Sequence, residues 1–519
     1  MALSEQGLVQ HVLVVGGGTA GWLTACHLAK ALQCRSNPAV SVTLVEAPDI
    51  PTIGVGEGTV PAIRQSLQYL GISETDLIRY CDASFKQSIR FQHWLKPAAG
   101  LADFYHHVFD YPERQDIKLT PYWLASDRRQ PYADFVGIQS QLCELGLAPK
   151  LITQPEYDGI ANYAYHLDAA KFAQLLTRHG TEQLGVRHIK AKVQQVSTAV
   201  DGCIAGINTD TAGYLQADLY VDCSGFQALL LGDALQVGFI AKNDVLFCDS
   251  AIAVQVPYAD DNTPLACSTL ATAQDAGWVW DIALPSRRGV GYVYSSRYCD
   301  QQQAELTLGR YLGMPAEQLS LRHIPMQVGY RQRFWQHNCV AIGLSQGFVE
   351  PLEATGLLVY DASARMLADT LPAHKAQFAA AAEQFNLQVR QAWDKVIDFI
   401  KLHYCISDRD DSAFWRDNRR ASSIPDSLQQ KLQLWQGRTP TPYDFPGRFD
   451  VFHTDNYLYV LYGMHFNTDI NALTPRLNQL QRVAQLSSAQ QQYLNQAKQA
   501  LLPHRQLIQQ IKKYGLASV

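Results

Sequence analysis

The stretch His11-Val-Leu-Val-Val15, followed by Gly16-Gly-Gly-Thr-Ala-Gly21, decides the fold. The aliphatic run suits a strand buried in a parallel sheet. Behind it, Trp22 to Leu32 has the periodicity of a helix packed on a sheet, and Val40 to Val45 reads as a second strand ending at Glu46. The unit is β-α-β, with Gly16, Gly18 and Gly21 set as G-x-G-x-x-G at its first turn. The first glycine permits the tight turn, the second lets backbone approach a pyrophosphate, and the third lets helix and strand pack closely. The N–H groups around Thr19 and Ala20, at the head of the helix, favour phosphate. Glu46 stands where an acid can bond a ribose hydroxyl. Its distance from the glycines exceeds the usual ~20 residues, and Gln33–Pro38 accounts for the excess as a longer loop.

Working outward, Leu215 to Val221 reads as a strand ending in Asp222-Cys-Ser-Gly-Phe226, and Cys339-Val-Ala-Ile-Gly343 as another before a glycine. Parallel-sheet elements recur far apart, so the nucleotide-binding sheet is assembled from distant segments. From Ala354 to Tyr404 helical patterns dominate, broken near Pro372, and Leu486 to Tyr514 reads as a helix packed on the core. The glycine motif alone does not choose between FAD and NAD. Two segments favour FAD: a second glycine-rich loop, Ile53-Gly-Val-Gly56-Glu57-Gly-Thr-Val-Pro61, and the Asp222–Phe226 strand end, which suit a large dinucleotide touched at several points.

Composition narrows the function. At 519 residues, 47% apolar and 18% charged, the chain is no disordered protein. At ~150 residues per domain its length would allow three or four domains, though large α/β enzymes fold as fewer. A net charge of −5 gives no basic face for nucleic acid. No apolar run reaches the ~18 residues of a membrane span, and MALSEQGLVQ shows no secretion signal. The 11 cysteines are scattered singly without C-x-x-C, which argues against disulfides and a zinc site and for a reducing cytoplasm.

A series of motifs then matches one family in order. Gly16–Trp22 and Gly54–Pro61 come first, then Ser84-Phe-Lys-Gln-Ser-Ile-Arg-Phe91, Tyr165-His-Leu-Asp-Ala169 and Asp222–Phe226. Gly277-Trp-Val-Trp-Asp-Ile-Ala283 stands for a W-x-W-x-I-P box, followed by Gly291-Tyr-Val-Tyr-Ser-Ser296 and Ile342-Gly-Leu-Ser345. Phe348-Val-Glu-Pro-Leu-Glu-Ala-Thr-Gly356, His403-Tyr404 and Ser407–Trp415 complete the set. The chain resembles the flavin-dependent tryptophan halogenases along nearly its whole length. The resemblance implies an α/β (α+β) fold: an FAD-binding Rossmann-like domain of the flavin monooxygenase and halogenase type over 1–350, with inserted substrate-pocket segments at about 82–165. A mainly helical substrate-binding part follows over 351–519.

The resemblance also implies a reaction. FADH2, O2 and halide give hypohalous acid beside the flavin, and the acid passes through a tunnel to an electron-rich arene in a second pocket. Lys86 matches the catalytic lysine, which can hydrogen-bond the acid as an ammonium or form a haloamine. Glu353 matches the second catalytic residue, which stabilises the cationic arene and accepts its ring proton. Thr355 and Gly356 match the positions whose N–H groups hold the halide, chloride or bromide. Trp278 and Trp280, two apart and so on one face of a strand, match the tryptophans beside the flavin that keep substrate from being oxygenated. Gly56, Glu57 and Gly343 join Gly16, Gly18, Thr19, Ala20, Gly21 and Glu46 as expected FAD contacts. The chain departs from the family at Ala354, where a serine is usual, and at Ala283, where the box has proline.

For the substrate, Phe104-Tyr-His-His-Val-Phe109 resembles the family segment that gives a histidine and a phenylalanine but is one residue longer, so His106 or His107 pairs with Phe109. The family's stacking tryptophan near the C-terminus corresponds to His453 in Asp450–Asp455, and Thr439–Phe449 is shorter than in tryptophan-specific members. A more open pocket for indole, a substituted indole or a larger indole- or phenol-containing molecule fits better than free tryptophan. A separate flavin reductase supplying FADH2 and homodimerisation are family expectations. No metal is expected. Two alternatives share part of the pattern. A flavin-dependent aromatic monooxygenase gives no reason for Lys86 or the tryptophan pair, and a non-catalytic flavin-binding protein gives none for Lys86 and Glu353.

Overall fold

The computed structural model describes residues 7–49, 56–97, 102–112, 116–445, 447, 451–471 and 474–518. Residues 53–55 of the second glycine loop, 446 and 448–449 of the shortened segment, and Asp450 lie outside them. His11–Val15 sits inside a six-stranded sheet, parallel to Ser41–Glu46 on one side and to Leu219–Asp222 on the other. Arg187–Lys190 and Cys339–Ala341 extend the parallel set, and antiparallel Trp335–Gln336 forms one edge. Val15 pairs with Val45 and with Asp222, so three strands bring their carboxyl ends together. That is where ligands bind in open α/β sheets.

The aliphatic run is continuous because both faces of its strand are covered. Val12 and Val14 pack with Trp22 and Leu23, whereas Leu13 and Val15 pack with Ile204, Ile207 and Leu230. The helix is Thr19–Ala31, beginning inside the glycine motif with extended Gly18 as its cap, three residues before the reading from sequence. It packs against helices Ala169–His179 and Thr355–Thr370. His27 Nε2 lies 2.8 Å from Asp361 Oδ1, which ties the first helix to the last of these.

A seven-stranded sheet forms the second layer, in the order Arg322–Pro325, Ser250–Pro257, Arg287–Tyr294, Gly277–Ala283, Ser268–Gln274, Ser88–Gln92, Phe104–Val108. Only Ser268–Gln274 with Ser88–Gln92 is parallel among its described pairings. A small antiparallel sheet, Glu57–Gly58, Ala164–Leu167 and Ser84–Lys86, joins the seven-stranded one through Ser84 Oγ to Ala283 O and His166 Nε2 to Thr269 Oγ1. Long helices Thr355–Thr370 and Phe378–Cys405 flank Pro372.

Two elements differ from the sequence reading. Leu215–Val221 is not one strand: Gly213–Leu215 belongs to a separate hairpin sheet, and Leu219–Asp222 enters the main one. Asp218 makes the break, its Oδ2 accepting the N–H groups of Gln10 and His11 at 2.8 and 2.9 Å. The C-terminal helix is two, Leu480–Ala500 and His504–Tyr514, because Pro503 has no N–H to continue the first. Leu494 and Ala497 of the former bury against Ile138, Leu142 and Ala161.

Candidate active site

A cavity of about 770 Å³ runs between the two large sheets. Gly16–Gly21 and Glu46 line it together with Cys223 to Gln227, and so do Trp278, Trp280 and Met326, and Lys86, Ala354 and Gly356. Gly16, Gly17 and Gly21 of the turn have no room for a side chain. Gly16 has φ +119°, and a Cβ there would lie 2.1 Å from the Cys223 carbonyl oxygen; one on Gly17 would lie 1.7 Å from Glu46 Oε2. A Cβ on Gly18 would meet nothing within 4 Å, so this glycine faces the open cavity. Asp222 holds the neighbouring turn, accepting from Leu230 N and Leu231 N at 2.9 and 2.8 Å and from Ser224 N at 3.0 Å. Gly343 is not a lining residue; it has φ +92°, and a Cβ there would be 2.9 Å from Ala20 Cβ, so it supports the turn from behind.

Gly56, Glu57 and Gly58 also form part of the wall. Burial, reinforced by the charge of Asp168, pushes the Glu57 carboxyl up to about 7, and its Oε2 is buried without a hydrogen-bond partner among the described residues. Trp278 and Trp280 share one face of their strand, ring centroids 6.4 Å apart. Trp278 Nε1 donates to Glu350 Oε2 at 2.8 Å, and the Tyr404 hydroxyl donates to the same oxygen at 2.6 Å. Trp280 lies over Gly291 of the paired strand, where a Cβ would meet its ring at 2.2 Å.

Lys86 ends the Ser84–Lys86 strand with its side chain wholly buried. Its ammonium lies 5.5 Å from the centroid of the Phe109 ring, and Gly58 opposite leaves it space, a Cβ there falling 3.3 Å from Nζ. Burial lowers the amine to about 8, against an opposing pull from the Glu353 charge. Glu353 is buried between two imidazoles: His107 Nδ1 lies 2.9 and 3.0 Å from its oxygens and His403 Nε2 2.8 Å from Oε1. Burial alone would raise this carboxyl, but His107 and His403 outweigh it and hold it at about 2.

The hydrogen-bond directions follow from the partners. Asn456 Oδ1 accepts from His453 N at 2.9 Å, so its Nδ2, 3.1 Å from His107 Nε2, donates there. His107 therefore carries its proton on Nδ1 and donates to Glu353. His403 Nδ1 lies 2.9 Å from the Phe399 carbonyl, which can only accept. Helix Thr355–Thr370 starts directly after this carboxylate, with Ala354 at φ +55° as its cap and no side chain bonded to its first N–H groups. Thr355 is wholly buried, and its Oγ1 has no partner among the described residues.

The substrate-side expectations separate. His106 and His107 are consecutive on a strand and face opposite ways. His107 meets Glu353, whereas His106 meets Ser88 Oγ at 2.9 Å and Glu144 Oε1 at 3.0 Å, away from Lys86 and Glu353. His453 is exposed, as the cap of helix Thr454–Gly463. Its neighbour Phe452 is the buried ring, stacked on Phe399 with centroids 3.9 Å apart.

A family model for tryptophan halogenases matches residues 11–478. The chain belongs to the tryptophan halogenase family. It is 35% identical over 478 residues to tryptophan 6-halogenase SttH of Streptomyces toxytricini, covering 87% of this chain and 88% of that one. To tryptophan 7-halogenase RebH of Lentzea aerocolonigenes it is 34% identical over 498 residues, covering 91% and 92%. The crystal structure of a tryptophan halogenase from Shewanella frigidimarina matches at TM-score 0.95 and 43% identity over 99% of both chains. The chain is therefore an enzyme, a flavin-dependent halogenase. The residues present fit the family's flavin: a glycine cradle that any Cβ would fill, an open face at Gly18, and an unsatisfied carboxyl oxygen of Glu57 in the wall. No described helix is long and apolar enough to cross a membrane, and no described cluster of His, Cys, Asp or Glu could hold a metal ion.

Four residues of the site fall inside motifs read from the sequence but are given no role there. Gly17 lies inside the motif but at its variable position. Glu350 stands three residues before Glu353 and reads as part of the same box. His403 sits 50 residues from Glu353, beyond any helical periodicity. Phe452 adjoins His453, the position matched to the family's stacking tryptophan.

Proposed function

We propose that this halogenase uses FADH2, O2 and chloride or bromide to halogenate an indole-like or other electron-rich arene, through hypohalous acid delivered to Lys86. The observation that carries the reading is the placement of Lys86: it lines the flavin-sized cavity and at the same time feels the charge of Glu353. When bound, reduced flavin supplies the oxidising equivalent from O2 that converts halide to hypohalous acid. Gly16–Gly21 and Glu46 hold its dinucleotide end, and Trp278 and Trp280 line the wall that keeps the arene away from it. The first N–H groups of the helix at Thr355 and Gly356 hold the halide, since that helix end has no side-chain cap.

Lys86, as ammonium, donates to the hypohalous acid and makes its halogen more electrophilic. Across from it, Glu353 stabilises the positive charge that develops on the ring and takes the ring proton. His107 and His403 keep Glu353 ionised and pointed. Phe109 and His107 stand at the arene's position, with Phe452 in place of the family's stacking tryptophan. The flavin part is assigned to 1–350 and the helical substrate part to 351–519. A separate reductase supplies FADH2, the working form is a homodimer, and a reducing cytoplasm suits the 11 unpaired cysteines. The test is product mass after turnover with a flavin reductase, both halides, and tryptophan, indole and phenols as substrates. A halogen added to indole or phenol in preference to tryptophan is expected; an added oxygen instead would convert the reading to a monooxygenase.

A further inference from the structure

The Ser84–Lys86 strand is the edge of its three-stranded sheet. Phe85 pairs with Tyr165 inside that sheet, yet its N–H points outward. A buried amide without a partner destabilises the fold by as much as a lost hydrogen bond. Here the partner comes from the far end of the chain. Phe85 N donates to His504 Nε2 at 2.9 Å, across 419 positions of sequence. His504 is 1% exposed and opens the last helix, His504–Tyr514. Because Nε2 accepts, the ring proton is on Nδ1, which lies 3.7 Å from Cys267 Sγ. Burial lowers this imidazole to about 4, so Nε2 stays an acceptor at neutral pH.

The amide on the other side of Lys86 is fixed through the same segment: Gln87 N donates to the Cys267 carbonyl at 2.7 Å. The His504 end is itself anchored, its N–H donating to Gly146 O at 2.9 Å. Lys86 is thus gripped by its two neighbours, and one grip is a side chain from the C-terminal helix. Nothing else about His504 calls for a nitrogen lone pair at this position; a leucine would fill the space.

We infer that His504 is a positioning residue for Lys86, holding the strand so that the amine lines the cavity opposite the Phe109 ring. The inference rests on the role proposed for Lys86. A displacement of about 1 Å at a reacting group can lower a rate by roughly a hundredfold.

The test compares His504→Leu, which removes the acceptor, with His504→Gln, whose side-chain oxygen can occupy the Nε2 position. Two readouts are followed: hydrogen-exchange protection of the Phe85 amide in protein without flavin, and the split between halogenated arene and free hypohalous acid caught by a scavenger. His504→Leu is expected to lose the protection and shift the split toward free acid by about tenfold or more, with flavin affinity and arene KM unchanged, within the range that misplacement produces. His504→Gln is expected to restore both. If His504→Leu does not fold, His504→Asn replaces it, since its shorter amide cannot reach Phe85 N. A wild-type split in the acceptor-less variant, or equal defects in it and His504→Gln, overturns the inference. Lys86→Ala runs alongside: retained halogenation there overturns the role of Lys86 itself, whereas lost halogenation with an unaffected acceptor-less His504 variant overturns only the positioning.

Discussion

His403 Nε2 lies 2.8 Å from Glu353 Oε1. The other nitrogen of the ring faces the Phe399 carbonyl and must carry a proton, so the short contact to Glu353 holds one further proton between the two groups. Glu353 is held at about 2 and is therefore a charged carboxylate at neutral pH. Glu353→Gln keeps the shape and deletes the charge. Arene halogenation is expected to fall by about 10²- to 10⁴-fold, the range for a lost proton-transfer group, while flavin titration is unaffected. Single-turnover product mass checks it.

Lys86 gives the pH dependence. Its amine is lowered to about 8 by burial, and the ammonium is the form that activates hypohalous acid. Halogenation is therefore expected to decline as pH rises through about 8. Because Glu353 titrates near 2, no acid limb from it appears between pH 5 and 7. Rates of product formation measured from pH 5 to 10, with flavin reduction kept in excess, would show a single alkaline limb; a rate that instead rises through this range points to a haloamine route.

The same burial has a stability consequence. An unfolded chain keeps the lysine proton up to 10.5, and the folded one releases it at about 8. Between those values the unfolded state binds more protons, so stability rises with pH there. Below about 8 the buried ammonium weakens the fold in full; above 10.5 the effect is gone. At ~1.4 kcal/mol per pKa unit, the drop from 10.5 to about 8 corresponds to on the order of 3 kcal/mol. Lys86→Met should raise the melting temperature of flavin-free protein at pH 7 and lose that advantage toward pH 10. Equal gains at both pH values would show that packing, not charge, is the cause.

The glycine turn predicts an asymmetry within its own motif. A methyl on Gly17 collides with the Glu46 carboxylate, whereas one on Gly18 meets only open cavity. Gly17→Ala therefore pushes Glu46 aside and disturbs the protein with or without flavin, at about 1–3 kcal/mol for an overpacked site. Gly18→Ala leaves the flavin-free protein unchanged and occupies the volume where ligand approaches. Thermal melts without flavin should separate the two, and flavin fluorescence titration should show weaker binding for both.

How far the sequence carried depends on where the deciding interactions lie. The nucleotide-binding unit was legible because strand, glycines, helix and Glu46 fall within one short segment whose periodicity and turn chemistry agree. Lys86, Trp278 and Glu353 were legible through local motifs. The charge state of Glu353 was not, since His107 and His403 reach it from elements far apart in the chain, and Asn456 from a third fixes His107 in turn. Strand alternation could separate His106 from His107, but only the structure tells which face is which. Leu215–Val221 failed as a strand because Asp218 serves the backbone of Gln10 and His11, a partner no local pattern reveals. Pro503, by contrast, stood in plain view inside the supposed C-terminal helix.

The halide preference follows from how little the proposed anion site can discriminate. The helix at Thr355 begins with uncapped N–H groups, and neutral backbone donors bind chloride and bromide by the same geometry. No charged side chain caps the helix to sharpen the field around the smaller ion. The chemical step then decides, and bromide is the more easily oxidised ion. Bromination is expected to be at least as fast as chlorination. With both halides present at equal concentration and one arene, the ratio of brominated to chlorinated product measured by mass gives the answer directly; strict chloride preference would mean that the site is narrower than its backbone donors imply.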